Sequence, residues 1–272
     1  MLSYTDPVAV SSGQLAEYME LGLEIAAEAG SEILPYFRTP LSIINKRTDG
    51  HFHPVTEADR ASEKVLRARL ANRLPDHGVF GEEFGHESGN GLTWVIDPID
   101  GTRAFMTGML HWGVLLALFD GEKPILGIMH QPYTGEFFFG DNRSAHYRRG
   151  DETRRLTTSA TTSVEEAVLT TTSPRLLSDP DERAGFDRLE AAVKLSKYGG
   201  DCYIYAMLAM GYVDIALDGS LQPYDIQAIM PIIRGAGGVV TTASGGDASM
   251  GGFVVAASSR EIHTQALKYL QG

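Results

Sequence analysis

Cysteine is almost missing from this chain of 272 residues: Cys202 stands alone. One thiol excludes an internal disulfide and a thiolate zinc cluster. Long apolar runs are missing too, and no window approaches the 18 uninterrupted apolar residues of a membrane span. The opening stretch MLSYTDPVAVSSGQ has no basic segment followed by an apolar run, so no signal peptide is expected. These features together predict a cytoplasmic protein. Positive charge is in deficit. Lys and Arg number 23 against 35 Asp and Glu, and the formal net charge is −12. Such a surface repels nucleic-acid phosphates and anionic membranes, so neither is an expected partner. An anionic small molecule is not excluded, because a bound metal reverses the sign locally. Histidine and cysteine do not fall together at metal-ligand spacing, which disfavours zinc.

What is present is ordinary globular material, 43% hydrophobic and 21% charged, long enough for a well-buried core. Leu15, Met19, Leu23, Ala26, Ile33 and Phe37 follow helical spacing and predict a helix over 13–37. A second is predicted over 57–74, opened by Thr56 and Asp59 as a capping box. Strands are predicted at 77–80, 92–97, 112–119, 124–130 and 136–139, with DGEKP at 120–124 and YTG at 133–135 as hairpin connections. RRGDETRR at 148–155 reads as a solvated basic turn between halves. Beyond it, strands near 167–172, 212–217, 237–241 and 252–257 alternate with helices near 180–194, from 201, 225–236 and 259–270. This order predicts an α/β protein of two halves, 1–150 and 151–272.

The stretch WVIDPIDGTRAF carries the chemistry. Asp97 falls at the carboxyl end of a predicted buried strand, where α/β sheets hold ligands. Pro98 fixes a turn there, and the spacing of Asp97 and Asp100 can aim two carboxylates at one point. Gly101 lets the backbone approach an anion, and Gly101 and Thr102 open a short helix whose free N–H groups favour phosphate. Turn formation and capping would also account for these residues singly. GEEFG, however, sets Glu82 and Glu83 at another strand end, VTEAD sets Asp59 in the first turn of a helix, and PYDIQA sets Asp225 at the start of one. Such termini converge in an α/β fold. Carboxylates gathered there repel one another unless a hard divalent cation sits among them, and magnesium with a phosphate ester suits an all-oxygen set.

DPIDGT, with GEE and VTEAD upstream and YDIQA…GAGG downstream, resembles the inositol monophosphatase superfamily over roughly residues 46–240. The family's usual Trp-Asp is Tyr224-Asp225 here. The resemblance implies a layered α-β-α-β-α sandwich with the site between its halves, usually in a homodimer. It implies two or three Mg²⁺ ions: Glu82, Asp97 and the Ile99 carbonyl for the first, Asp97, Asp100 and Asp225 for the second, Glu82 with waters for a third. Gly101 and Thr102 would bind the phosphate, and Thr102, supported by Asp59, would activate water together with Glu82. Glu83 would support rather than ligate.

Substrate choice is expected in the second half. Asp201 follows a double glycine where, by resemblance, inositol enzymes carry small neutral residues, and Asp218 falls where the family has an acidic substrate contact. Two carboxylates beyond the metal site suit a substrate with a cationic end. With Arg103 after the Gly-Thr and the run Asp201-Cys202-Tyr203, the chain looks like the histidinol-phosphate phosphatase branch. Capping would also explain Asp201. Tyr203 and Tyr205 are expected as core or dimer contacts, His111 and Trp112 to pack or border the cleft, and His51, His53 and Lys46 fall on a loop near the site. The rivals are an inositol-1-phosphate or broad sugar-phosphate phosphatase, and a non-catalytic protein- or RNA-binding partner on the same fold. The complete acidic set and the charge of −12 oppose the last.

Overall fold

The computed structural model describes residues 2–40, 43–45 and 54–272; His51, His53 and Lys46 lie outside them. The chain opens with α1 (Ser12–Ile33), a small antiparallel hairpin of β1 (Ile43–Asn45) and β2 (Pro54–Thr56), and α2 (Glu57–Arg73). There follow β3 (Gly78–Gly81), β4 (Gly85–Glu87), β5 (Thr93–Asp100), the short α3 (Thr102–Met106), β6 (Gly113–Phe119), β7 (Pro124–Gln131), β8 (Glu136–Gly140), β9 (Ala145–Arg149) and β10 (Glu152–Arg155). The second half holds β11 (Val168–Thr171), α4 (Pro180–Ala192), β12 (Leu195–Tyr198), α5 (Cys202–Ala209), β13 (Ile215–Leu221), α6 (Pro223–Ile226), α7 (Ile229–Gly235), β14 (Val239–Thr242), β15 (Gly252–Ala257) and α8 (Arg260–Gln271). Among the described residues no helix is long and apolar enough to cross a membrane.

Eight strands form one sheet in the order β10-β9-β8-β7-β6-β5-β3-β4, antiparallel except for β3 beside β5. Five form another in the order β12-β11-β13-β15-β14. Alternation along β5 shows how the layers arise. Trp94 and Ile96 point into the core shared with α1 and α2, while Val95 points into the core shared with α5 and α7. A third core lies beyond the five-stranded sheet, under α4 and α8. The result is the α-β-α-β-α sandwich, with α5, α6 and α7 in its central layer.

Local chemistry explains where the elements depart from the periodicity. The first helix ends at Ile33 in a 3-10 turn, Leu34–Tyr36, because Pro35 has no N–H to continue the ladder. The helix expected over 225–236 is two, α6 and α7. Pro231 cannot donate to the carbonyl four residues back, at Gln227, and the break falls there. The basic stretch 148–155 is not a free turn but the β9–β10 hairpin at the sheet edge, with Arg149 paired to Glu152. Strand β3 runs parallel to β5 rather than in a meander, because β4, antiparallel on the outer side of β3, returns the chain to the end of the sheet where β3 began.

His130, on β7, is 5% exposed, stacks on Phe137 with ring centroids 3.8 Å apart, and donates from Nδ1 to the Glu136 carbonyl at 3.0 Å. Burial lowers its pKa from 6.5 to about 4. A base with a depressed pKa costs no stability while both states are neutral. As pH falls below 6.5 the unfolded chain takes up a proton that the folded chain refuses. Between pH 7 and pH 5 this removes about 2 kcal/mol of stability. Urea unfolding of His130→Asn, whose amide can keep the bond to the Glu136 carbonyl, should show that much less acid sensitivity than the parent.

Candidate active site

Strand β5 delivers Asp97, and the way it ends decides the site. Along a regular strand, residues three apart face opposite sides. Here Asp97 pairs with Leu115 and Asp100 with Gly113, so β5 spends three steps against two on β6. The bulge inserts one residue and turns both carboxylates to the same side. That side is the central layer, where α6 presents Asp225. Oxygens of Asp97, Asp100 and Asp225 all lie within 4.8 Å of one another.

Each carboxylate is held by backbone. The Ile99 N–H donates to Asp97 Oδ1 at 3.0 Å, the Cys202 N–H to Asp100 Oδ2 at 2.7 Å, and the Gln222 N–H to Asp225 Oδ2 at 2.7 Å. Burial first, then the charges of Glu82, Asp100, Asp225 and Asp59, raises the Asp97 pKa well above that of a free carboxyl. Burial also raises Asp100, to about 6, against the hydrogen bonds from Cys202. Asp225 rises through burial and the charge of Asp100. Anions packed this closely fit a hard divalent cation, and the donor set is all oxygen, as Mg²⁺ prefers.

Gly101 sits where only glycine fits. Its φ is +84°, and a Cβ there would lie 2.5 Å from the His111 carbonyl oxygen and 3.1 Å from Asp201 Cβ. The next residue, Thr102, donates its hydroxyl to the Ile99 carbonyl at 3.2 Å or to Asp59 Oδ1 at 3.5 Å. Asp59 is 1% exposed and caps α2 as the sequence predicts, its Oδ2 accepting the Thr56 N–H at 2.8 Å. One oxygen thus caps the helix and the other faces Thr102. Glu82 lines the same pocket as the three aspartates. The side chain of Glu83 is buried, with Arg60 4.0 Å away.

The pocket holds about 800 Å³, and its far wall comes from the second half through Thr172, Asp201, Cys202, Tyr205, Asp218 and Tyr224. Asp201 begins α5, yet its side chain makes no capping bond. Its backbone lies at φ +44°, ψ −138°, a conformation that costs a non-glycine residue about 1–3 kcal/mol. Burial, with the charges of Asp100 and Asp218, raises its pKa to about 8, opposed by Arg103. Asp218 is 2% exposed. Its Oδ1 accepts from Thr171 Oγ1 and the Thr172 N–H, and its Oδ2 from Thr172 Oγ1 and the Tyr205 hydroxyl. Four donors fill its acceptor sites, so a substrate group reaching Asp218 would displace one of them. Burial raises its pKa to about 6 against these bonds.

The structure therefore brings Asp59, Glu82, Asp97, Ile99, Asp100, Gly101, Thr102, Arg103, Asp201, Asp218 and Asp225 to one place. The contributions of the Cys202 amide and of Thr171 and Thr172 carry no motif, since they depend on which backbone groups face the carboxylates. Trp112 is wholly buried between Phe37 and Phe105 and does not reach the pocket.

Residues 14–272 match the sequence profile of the inositol monophosphatase family. The chain is 36% identical to the bifunctional phosphatase IMPL2, chloroplastic, of Arabidopsis thaliana, over 99% of this chain and 80% of that one. It is 37% identical to a histidinol-phosphatase of Chlorobaculum parvum, over 81% and 83% of the two chains. Among solved structures, an inositol monophosphatase from Zymomonas mobilis superposes with a TM-score of 0.85 at 32% identity, covering 97% of this chain and all of that one.

Proposed function

The chain belongs to the inositol monophosphatase family and is a metal-dependent phosphatase, and on that premise we propose that it hydrolyses histidinol phosphate to histidinol and phosphate. The observation that carries the substrate is Asp201. A carboxylate held in a costly backbone conformation on the pocket wall, with no capping bond, is placed for an ammonium or imidazole rather than for helix stability. A cation beside it would return it to the ionised form. The likeness to a histidinol-phosphatase supports the same reading.

In this reading Glu82, Asp97 and the Ile99 carbonyl would hold one Mg²⁺, Asp97, Asp100 and Asp225 a second, and Glu82 with waters a third. Metal bound there would absorb the ester's negative charge and would make a water acidic enough to attack near neutral pH. The residues do the positioning. The Gly101 and Thr102 N–H groups hold phosphate oxygens. Turning its hydroxyl toward Asp59, Thr102 offers its oxygen to the attacking water, and Asp59 stays fixed by its bond from Thr56. Glu82 receives the water's proton. Arg103 and Asp201 meet the histidinol end, with Asp218 behind them bracing Thr171, Thr172 and Tyr205.

A panel of histidinol phosphate, inositol-1-phosphate and fructose-1,6-bisphosphate at fixed Mg²⁺ tests the proposal. Histidinol phosphate should lead by at least tenfold in kcat/KM, about 1.4 kcal/mol, and Asp201→Asn should erase most of that lead. Equal rates on all three, or a preference untouched by the substitution, would overturn the choice of substrate.

A further inference from the structure

We propose that Glu63, on α2, is a positioning residue for the metal site: it grips the turn after β3 and so aims Glu82 at the aspartate cluster. The proposal rests on the reading of Glu82 as a metal ligand. Glu63 is wholly buried, one helical turn after Asp59 and on the same face of α2. Its Oε2 accepts the Glu83 N–H at 2.7 Å, and its Oε1 accepts the Phe84 N–H at 3.1 Å and Arg67 Nε at 2.8 Å. Arg67 continues the grip, donating to the Gly85 carbonyl and to Glu87 Oε1. One ion pair thus holds the backbone at 83, 84 and 85, directly after Glu82.

The residue before Glu82 is shaped for the same contact. A Cβ on Gly81 would lie 2.2 Å from Glu63 Oε1 and 2.6 Å from its Cδ. Only a residue without a side chain lets the carboxylate reach the turn. A buried ion pair adds little net stability, because desolvation offsets the attraction, but it fixes geometry. The geometry fixed here is that of a loop whose first side chain lines the catalytic pocket. Helix α2 therefore sets two parts of the site at once: Asp59 faces Thr102, and Glu63 sets the Glu82 turn.

The test is Mg²⁺ binding by isothermal titration calorimetry on the full chain, with thermal melts alongside. Glu63→Gln keeps the shape but presents an amide N–H₂ to a backbone donor. Its Kd for Mg²⁺ should rise about tenfold or more, as when outer partners of metal ligands are lost. The Mg²⁺ needed for half-maximal activity should rise with it, while KM for substrate at saturating Mg²⁺ stays put. Arg67→Lys should shift the Kd in the same direction by a smaller factor, and it decides the matter if Glu63→Gln does not fold. Leu70→Ala, a core truncation on the same helix, should lower Tm and leave the Kd unchanged. The inference fails if the Glu63 and Arg67 variants bind Mg²⁺ like the parent while Glu82→Gln binds weakly. It fails equally if Leu70→Ala weakens Mg²⁺ as much as they do. Should Glu82→Gln itself bind normally, the ligand reading of Glu82 falls first and takes this inference with it.

Discussion

Asp97→Asn is expected to lower kcat by about a thousandfold or more, roughly 4 kcal/mol of barrier, and at the same time to raise the Tm of the metal-free protein. The two signs together are the signature. Asp97 is 1% exposed and sits among the charges of Glu82, Asp100, Asp225 and Asp59, so its ionised form is costly in the bare fold. Asparagine is isosteric, can still accept the Ile99 N–H, and brings no charge into that repulsion. Each kcal/mol relieved is worth about 2–4 °C in a chain of this size. The catalytic loss has the opposite origin. In the proposed site Asp97 serves two ions, and an amide oxygen is a weaker ligand than a carboxylate. Steady-state kinetics and a melt in EDTA are the measurements. Unchanged turnover would exclude the site, and a lower metal-free Tm would show that Asp97 stabilises the fold without metal.

Mg²⁺ is expected to stabilise the folded chain strongly, and increasingly so as pH rises from about 4 to 6. At a free concentration a hundred times its Kd, one bound ion contributes about 2.7 kcal/mol. The pH dependence follows from the carboxylates. Their folded pKa values are raised, Asp100 to about 6 and Asp97 and Asp225 well above that of a free carboxyl. In the metal-free protein each costs nothing below the unfolded value of 3.8, and the cost grows as pH climbs toward the folded value. Stability without metal therefore falls over that range. Metal binding needs the deprotonated ligands, so it releases protons and tightens over the same range. The gap between melts with Mg²⁺ and with EDTA should widen between about pH 4 and pH 6, and a gap independent of pH would remove the acidic cluster as the binding site.

Much of the molecule was legible beforehand, for identifiable reasons. Strands β5 to β8 are continuous apolar runs cut by Gly, Pro and Asp, and β15 matches its expected bounds of 252–257. The capping box at Thr56 and Asp59 was legible because a cap is set by residues three apart. Other features were not. Glu63 and Arg67 have the spacing of an exposed surface pair, and only their place under the β3–β4 turn makes them a buried clamp. RRGDETRR looks like solvated chain because both strands of an edge hairpin can stay polar.

Residue types close together in the chain determined the kind of chemistry here: carboxylates beside Gly-Thr and at helix starts, on a chain with a single thiol, leave oxygen-bound metal and a phosphate ester as the consistent reading. Tertiary structure decided which of those carboxylates meet. Asp97 and Asp100 share a side only because β5 gains a residue against β6, and Asp225 joins them only because α6 is carried into the layer between two sheets. Side-chain type and local spacing act over a few residues. Strand register and layer packing are set by the burial of apolar faces across the whole chain, and a shift of one residue there sends a carboxylate to the other side of the sheet.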